Sequence, residues 1–233
     1  MKLKILFVLI VGLNFCVTNA QKREYEIRYV SQFTGIQVSS GINLYLKQGD
    51  DYRVSIEAEE RFLKDIVTET KNGILHVYLL PENFIIKRRI VSEINVYVTF
   101  AQLESVSATA GSDVYCENLL KLDNFTVNSS SGADVRIDIE CRQLTLNASS
   151  GSDIRAKGST IKLKAIASSG SDIKARELDA IIATLNASSG SDIVAKVSSE
   201  IEVNVTSGSN ISYYGNPFPV KIRQSGGGTV RKK

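Results

Sequence analysis

Five aspartates recur at nearly equal spacing in the second half of the chain, each two residues after a glycine: Asp113, Asp134, Asp153, Asp172 and Asp192. Stacked carboxylates could bind Ca²⁺, which prefers several oxygen ligands. They could also supply the pair of carboxyl groups that glycoside hydrolysis requires. Their regularity argues against catalysis, because a catalytic site usually shows as one deviation within a repeat.

Basic residues that follow three of these aspartates indicate a simpler role. Arg136, Arg155 and Lys174 each lie two residues after an aspartate, on the same side of an extended strand. We therefore predict that the aspartates form a solvated, charge-paired surface ladder. A metal or ligand ladder is the alternative, with Ca²⁺ as its ion; otherwise we expect no cofactor.

The remaining reactive side chains form no catalytic or metal-binding pattern. His76 is the only histidine, and it lies in a segment that alternates like a strand. Cys116 and Cys141 lie five and nine residues after their glycines, which places them in different columns of the repeat. This offset favours buried thiols, whereas an oxidising compartment would permit a disulfide between them. We predict no catalytic residue and no zinc site.

The glycines that precede the aspartates define an internal repeat. From Gly111 to Gly208, successive glycines lie 21, 19, 19, 20 and 18 residues apart, a period typical of solenoids. An earlier copy is visible around Ser40-Gly41-Ile42-Asn43. We predict structural corners, each needing a positive φ angle, at Gly41, Gly111, Gly132, Gly151, Gly170, Gly190 and Gly208.

Apolar residues alternate with polar ones on both sides of each corner, which indicates strands with one buried face. Leu144, Leu146 and Ala148 illustrate the pattern before Gly151, and Ile154 and Ala156 continue it afterwards. A unit of this size cannot bury a core alone, so neighbouring units must stack. The predicted fold is all-β: a right-handed parallel β-helix, or solenoid, of roughly 20-residue rungs.

The chain divides into a leader and one domain. Residues 1–20 have the basic start, apolar run and small-residue cleavage site of a signal peptide. Residues 21–233 form a single β-helical domain, with irregular rungs at 21–100 and regular repeats at 101–212. Residues 213–233 are expected to be a cap and tail: Tyr213, Tyr214 and Phe218 cover the last rung, and Gly226-Gly227-Gly228 is a flexible exit.

Composition and export limit the partners. The formal net charge is +3, with acidic and basic residues interspersed, so we expect no nucleic-acid binding. The nine or so apolar residues of the leader are too few to remain as a membrane anchor, so the mature chain has no transmembrane anchor. The expected location is the periplasm, the outer-membrane surface or the extracellular space. The sequence names no partner beyond a protein or glycan at the cell envelope.

The order of several short motifs resembles a known family. The segment from Phe33 through Gly41-Ile42-Asn43, the Ser-Ser-Gly-Ser-Asp-Ile repeats and the closing Ser225-Gly226-Gly227 are similar to the auto-transporter adhesin head GIN domains of Bacteroidetes. The resemblance implies a secreted β-helical domain of unknown function with an adhesin-like role. It brings no established catalytic residues.

These observations together predict a secreted, non-catalytic cell-envelope protein, acting as an adhesin-like or scaffolding contact module. Two alternatives stay open: a periplasmic ligand-binding protein and a β-helical polysaccharide-active enzyme.

Overall fold

The computed structural model describes residues 23–80 and 93–233. The predicted signal peptide at 1–20 and a loop expected at 81–89 lie outside these residues. Within them, no helix is long and apolar enough to cross a membrane.

The described chain is mostly β-strand, with one short helix, α1 (Glu60–Leu63). The strands are β1 (Arg23–Arg28), β2 (Gly35–Val38), β3 (Asn43–Gln48), β4 (Arg53–Glu59), β5 (Ile66–Lys71), β6 (Ile74–Leu79), β7 (Asn95–Phe100), β8 (Ser105–Ala108), β9 (Asp113–Cys116), β10 (Leu120–Ser129), β11 (Asp134–Ala148), β12 (Asp153–Ala167), β13 (Asp172–Ala187), β14 (Asp192–Val205), β15 (Asn210–Tyr214), β16 (Val220–Gln224) and β17 (Thr229–Lys232).

These strands coil into two parallel stacks that meet at the glycine corners. The segments before the corners stack in the order β6, β2, β8, β10, then the second halves of β11 to β14, then β16. The segments after the corners stack as β7, β3, β9, the first halves of β11 to β14, β15 and β17. The predicted parallel β-helix is confirmed, and the hand of the coil stays a prediction.

The core lies inside the coil and is built from columns of equivalent residues. Ile154, Ile173 and Ile193 occupy adjacent rungs in register, and each is at most 1% exposed. Ala165 on the facing stack is fully buried as well. The core is therefore a set of in-register columns of buried apolar side chains.

Each corner is a tight turn with two successive residues at positive φ. At one corner Ser150 and Gly151 have φ of 54° and 69°. Two positive φ angles in succession are the pattern of a type I′ turn, which glycine adopts at little cost. Every predicted corner glycine has the predicted positive φ angle. The residue before each of these glycines also has a positive φ angle, which the sequence did not predict.

The serine that follows the corner glycine is buried and joins neighbouring rungs. Ser171 Oγ accepts a hydrogen bond from the Ser168 N–H at 3.0 Å and donates one to the Ala148 carbonyl at 2.9 Å. Where Ala133 replaces this serine, Ser129 Oγ donates instead to the Ala133 carbonyl at 2.8 Å. The hydroxyl is therefore kept at the corner even where the sequence position changes.

The N-terminal end differs from the rungs expected over residues 21–100. Strand β4 adds antiparallel to β7, β1 adds antiparallel to β4, and β5 adds antiparallel to β6. The first corner rung, β2–β3, lies between the β6–β7 rung and the β8–β9 rung. Phe62 of α1 is buried, so this end of the coil is closed by antiparallel strands and a helical turn.

The C-terminal end corrects the expected cap and flexible exit. Gly226 and Gly227 have φ of 56° and 76°, and Gly228 N–H donates to the Ser225 carbonyl at 3.0 Å. This run is therefore one more corner, between β16 and β17. Phe218 does not cover the last rung, since it is 86% exposed. The chain builds a further rung here because β16 and β17 continue both parallel stacks.

Candidate functional site

The five aspartates singled out by the sequence form one in-register column on the outer surface. Asp113 pairs with Asp134, and Asp153 pairs with both Asp134 and Asp172, which in turn pairs with Asp192. Strand spacing places neighbouring members about 4.8 Å apart along the coil. The first half of every regular rung therefore begins with the same carboxylate.

Cations on the same surface neutralise the centre of this column. Lys174 Nζ lies 2.9 Å from an Asp153 oxygen and 3.1 Å from an Asp172 oxygen. Arg136 lies 3.1 Å from Asp134. The hydrogen bond to Asp153 raises the pKa of Lys174, although partial burial opposes the shift. Asp134 and Asp172 each pair with the cation two residues on, as the sequence pattern predicts, and Lys174 also joins two rungs through Asp153.

The two ends of the column use hydrogen bonds instead of cations. Asp113 accepts from the Tyr115 hydroxyl at 3.2 Å, and Asp192 accepts from Asn210 Nδ2 at 2.9 Å. Across residues 23–80 and 93–233, no group of three or more His, Cys, Asp or Glu side chains is arranged to hold a metal ion. Calcium binding by the column stays a prediction.

A second column, beside the aspartates, was missed by the sequence analysis. Tyr97, Tyr45 and Tyr115 stack on one another with ring centroids 4.9 and 5.3 Å apart. Arg136 lies over the Tyr115 ring at 5.2 Å and extends the stack. The available signal was that Tyr45, Tyr115 and Arg136 each lie four residues after a corner glycine. We call these four side chains the tyrosine–arginine column.

A polar cluster anchors the N-terminal end of both columns. Glu57 accepts hydrogen bonds from the Tyr97 hydroxyl at 3.0 Å and from Asn95 Nδ2 at 3.1 Å, and pairs with Arg23 at 3.1 Å. Burial alone would raise the pKa of Glu57, but these bonds outweigh burial and lower it. Burial, together with the bond to Glu57, raises the pKa of Tyr97 to about 12. Both groups therefore keep one protonation state across neutral pH.

An open cleft of about 770 Å³ adjoins these columns along β11, β12 and β13. Its lining includes the apolar side chains of Leu119, Ile137 and Ala156, and beside them the cations Arg155 and Arg176. The volume is within the range of small-ligand sites in proteins. We refer to it as the β11–β13 cleft.

The cleft contains one close ion pair and two cations without a close ion-pair partner. Lys157 Nζ lies 3.0 Å from an Asp138 carboxylate oxygen, so these two side chains form an ion pair. Arg155 approaches Asp153 only to 3.7 Å, and Arg176 stacks over the Tyr214 ring at 4.6 Å. Arg155 and Arg176 are therefore the cations best placed to meet a polar or anionic group from outside.

The cysteines and the histidine lie where they cannot form a reactive site together. Cys116 and Cys141 are free thiols, as the sequence analysis favoured. Burial raises the pKa of Cys116 to about 11, and Cys141 Sγ contacts Thr160 Oγ1 at 3.5 Å. His76 lies on β6 between Gln37 and Glu69, in the other stack from the aspartates.

The comparison with protein families gives one match. Residues 32–217 match the sequence profile of the family described as "Putative auto-transporter adhesin, head GIN domain". No curated protein sequence matches the chain.

Solved structures share the fold at low identity. A protein from Bacteroides fragilis described as a "putative adhesin" aligns with a TM-score of 0.83 and 20% identity, covering 92% of this chain and 98% of its own. A "putative lipid binding protein" from Parabacteroides distasonis aligns with a TM-score of 0.70 and 17% identity, over 92% and 98% of the two chains. A "putative adhesin" from Parabacteroides merdae aligns at 0.73 and 16%, over 92% and 97%.

Proposed function

The chain belongs to the auto-transporter adhesin head GIN domain family, and we propose that it is an exported, non-catalytic contact module of the cell envelope. In this proposal the outer face that carries the aspartate column and the tyrosine–arginine column binds a protein or glycan partner. The family assignment supports an adhesin-like role.

The observation that carries this proposal is the continuity of the two columns. The register places the aspartates side by side on five successive rungs, and the tyrosine–arginine column runs parallel to them. A solenoid gives such columns a long, rigid surface, which suits extended contacts. The tyrosine rings and ion pairs of this surface are already ordered before binding, so ordering these side chains costs a complex little affinity.

The same contacts argue against hydrolysis at the aspartate column. A glycoside hydrolase needs one carboxyl group that stays protonated as a general acid beside a second carboxylate. Asp134, Asp153 and Asp172 each lie within ion-pair distance of a lysine or arginine, so the three carboxyl groups have similar surroundings. The three central members of the column therefore show no pair of carboxyl groups in contrasting surroundings, as an acid and a nucleophile would have.

A second candidate function is the binding of a small ligand in the β11–β13 cleft. The cleft of about 770 Å³ is lined by apolar side chains and by several lysines and arginines, and one structural neighbour is described as a "putative lipid binding protein". This would make the chain a periplasmic binding protein rather than a surface adhesin.

Cell fractionation separates the two locations. We expect added protease to digest the protein on intact cells, after removal of the leader behind Ala20. Protection from protease together with release by osmotic shock would refute the surface role and support the periplasmic alternative.

A binding assay tests the part of this surface beside the β11–β13 cleft. The exported chain, immobilised on beads, should retain polysaccharide or protein from the cell envelope, and Arg155→Gln with Arg176→Gln should weaken retention. Lys162→Gln with Lys164→Gln is the matched control, because these lysines lie on the other stack of the coil. Equal retention by both double variants would contradict a contact at the cleft side.

A further inference from the structure

The last rung of the coil presents two strands that are each paired on one side. Among residues 23–80 and 93–233, β16 pairs with β14 alone and β17 pairs with β15 alone. An unpaired strand edge is a template for pairing with another chain. A further strand can therefore add to this end of the coil.

The backbone groups of β16 that face the free edge follow from those that bond to β14. Ile201 N–H donates to the Pro219 carbonyl at 3.2 Å, and Ser225 N–H donates to the Val205 carbonyl at 3.1 Å. Along a strand, successive residues direct their backbone groups to opposite edges. Three residues of β16 therefore turn their N–H and C=O groups to the free edge: Val220, Ile222 and Gln224.

Apolar side chains at this edge lack the cover that the same columns have elsewhere in the coil. Val220 and Ile222 continue the inner columns of Ile201 and Val203, which are fully buried. Val220 and Ile222 are themselves 39% and 46% exposed, and Phe218, just before β16, is 86% exposed. Exposed apolar groups that lie together mark interaction surfaces.

The charged side chains of this end are all cations. Residues 213–233 contain five basic residues and no aspartate or glutamate. Glu202, which lies opposite Lys221 on the rung behind, pairs with Arg223 at 2.9 Å. Within the described part of the chain, Lys221 and Arg231 have no carboxylate within ion-pair distance. The last rung therefore has uncompensated positive charge beside its open apolar core.

We propose that the free edge of β16 binds an extended segment of a partner protein in which apolar residues alternate with acidic ones. The segment adds as a further strand, bonded to the backbone of Val220 and Ile222. Its apolar side chains cover the open core, and its carboxylates lie along Lys221. Such strand addition takes affinity from main-chain hydrogen bonds and specificity from alternate side chains. This contact is separate from the face that carries the aspartate column.

Two other occupants fit this edge less well. Two copies joined tail to tail would bring the cations of both last rungs together, and like charges directly opposite are destabilising. A lipid surface would leave the free backbone groups of β16 without partners, which is costly in hydrocarbon. An acidic strand satisfies both the backbone and the charges.

A labelled synthetic peptide that alternates valine and glutamate, equal in length to β16, tests the proposal. We expect fluorescence anisotropy to show saturable binding to the exported chain, and a peptide that alternates valine and lysine should not bind. Lys221→Glu with Arg223→Glu should weaken binding of the acidic peptide about tenfold. Lys162→Glu with Lys164→Glu is the matched control and should leave binding unchanged, because β12 is paired on both sides. Equal melting temperatures show that both double variants are folded.

Hydrogen exchange measured by NMR separates strand addition from simple charge attraction. The acidic peptide should slow exchange at the amides of Val220 and Ile222, which face the free edge. It should change exchange little at Lys221 and Arg223, whose amides face β14. Uniform protection of all four amides, or none, would contradict strand addition.

Three further outcomes would overturn the proposal. Equal binding of the acidic and basic peptides would remove the selection by charge. Dimerisation of the exported chain that Ile222→Lys abolishes would assign the edge to a second copy. Binding to phosphatidylglycerol vesicles, with none to the acidic peptide, would assign it to a lipid surface.

Discussion

Replacing adjacent residues that point to opposite sides of β13 tests the assignment of inner and outer columns. Ile173 is fully buried between Ile154 and Ile193, whereas the Asp172 side chain is 36% exposed and paired with Lys174. Ile173→Asp removes a packed side chain and leaves an unpaired charge in the coil. Asp172→Ala removes one partly exposed ion pair.

The two changes should lower the free energy of unfolding by amounts that differ several-fold. An unpaired buried charge costs roughly 3–5 kcal/mol, and Asp172→Ala should cost less than about 1 kcal/mol, as for other exposed ion pairs. A protein of this size loses roughly 2–4 °C of melting temperature per kcal/mol. We therefore expect a loss of roughly 6–20 °C for Ile173→Asp and less than about 4 °C for Asp172→Ala.

Thermal unfolding followed by far-ultraviolet circular dichroism measures both variants, and hydrogen exchange localises the loss along the coil. Ile173→Val serves as the graded control and should cost about 0.5–1.5 kcal/mol. Equal losses for Ile173→Asp and Asp172→Ala would show that the two sides of β13 are wrongly assigned.

Three further changes probe a corner serine, Gly158 within β12 and the Cys116 thiol. Ser171→Ala should cost about 1 kcal/mol in urea unfolding, because a buried hydroxyl that bridges two rungs is lost; no change would refute the bridging role. Gly158→Ala should destabilise far more than Gly151→Ala, because a Cβ at Gly158 would lie 2.2 Å from the Ile139 carbonyl oxygen, whereas Gly151 has open space; equal urea midpoints would contradict this. Burial raises the pKa of Cys116 to about 11 from a usual 9.0, so the folded thiol should alkylate roughly a hundredfold more slowly at pH 8 than in urea. Because the pKa of this thiol is higher in the folded state than in the unfolded state, the thiol stabilises the folded state below pH 9.0, and this stabilisation is lost as the pH rises to about 11. Mass spectrometry measures the alkylation rate, and urea unfolding at two pH values measures the change in stability.

The repetitive middle of the fold could be predicted from the sequence because its information is local. Period-two alternation identifies Leu146 and Ile154 as inward residues, and both are fully buried. The spacing of Asp153 and Asp172 equals one rung, so their register follows directly from the repeat. The ion pair through Lys174 follows as well, since a lysine two residues along points to the same side.

The ends and the tyrosine–arginine column depend on contacts between distant segments. Tyr97 reaches Tyr45 because β7 pairs with β3, a rung order that departs from chain order. The antiparallel addition of β1 to β4 likewise has no period to reveal it. The run of glycines from Gly226 resembles a flexible tail by composition, and it forms a corner because β16 and β17 continue the stacks beside it.

The sequence by itself determined the repeat, the inward columns, the corner glycines and the charge alternation of the outer face. Each of these follows from backbone geometry within one rung: alternation sets the side, and glycine permits the turn. Only the tertiary structure decided which rungs are neighbours at the ends, and therefore which tyrosines stack. It also decided that the last rung stays open, with Val220 and Ile222 exposed. The ends could not be predicted in the same way, because the backbone hydrogen bonds of a strand edge depend on the segment that packs beside it, and that segment is distant in the chain.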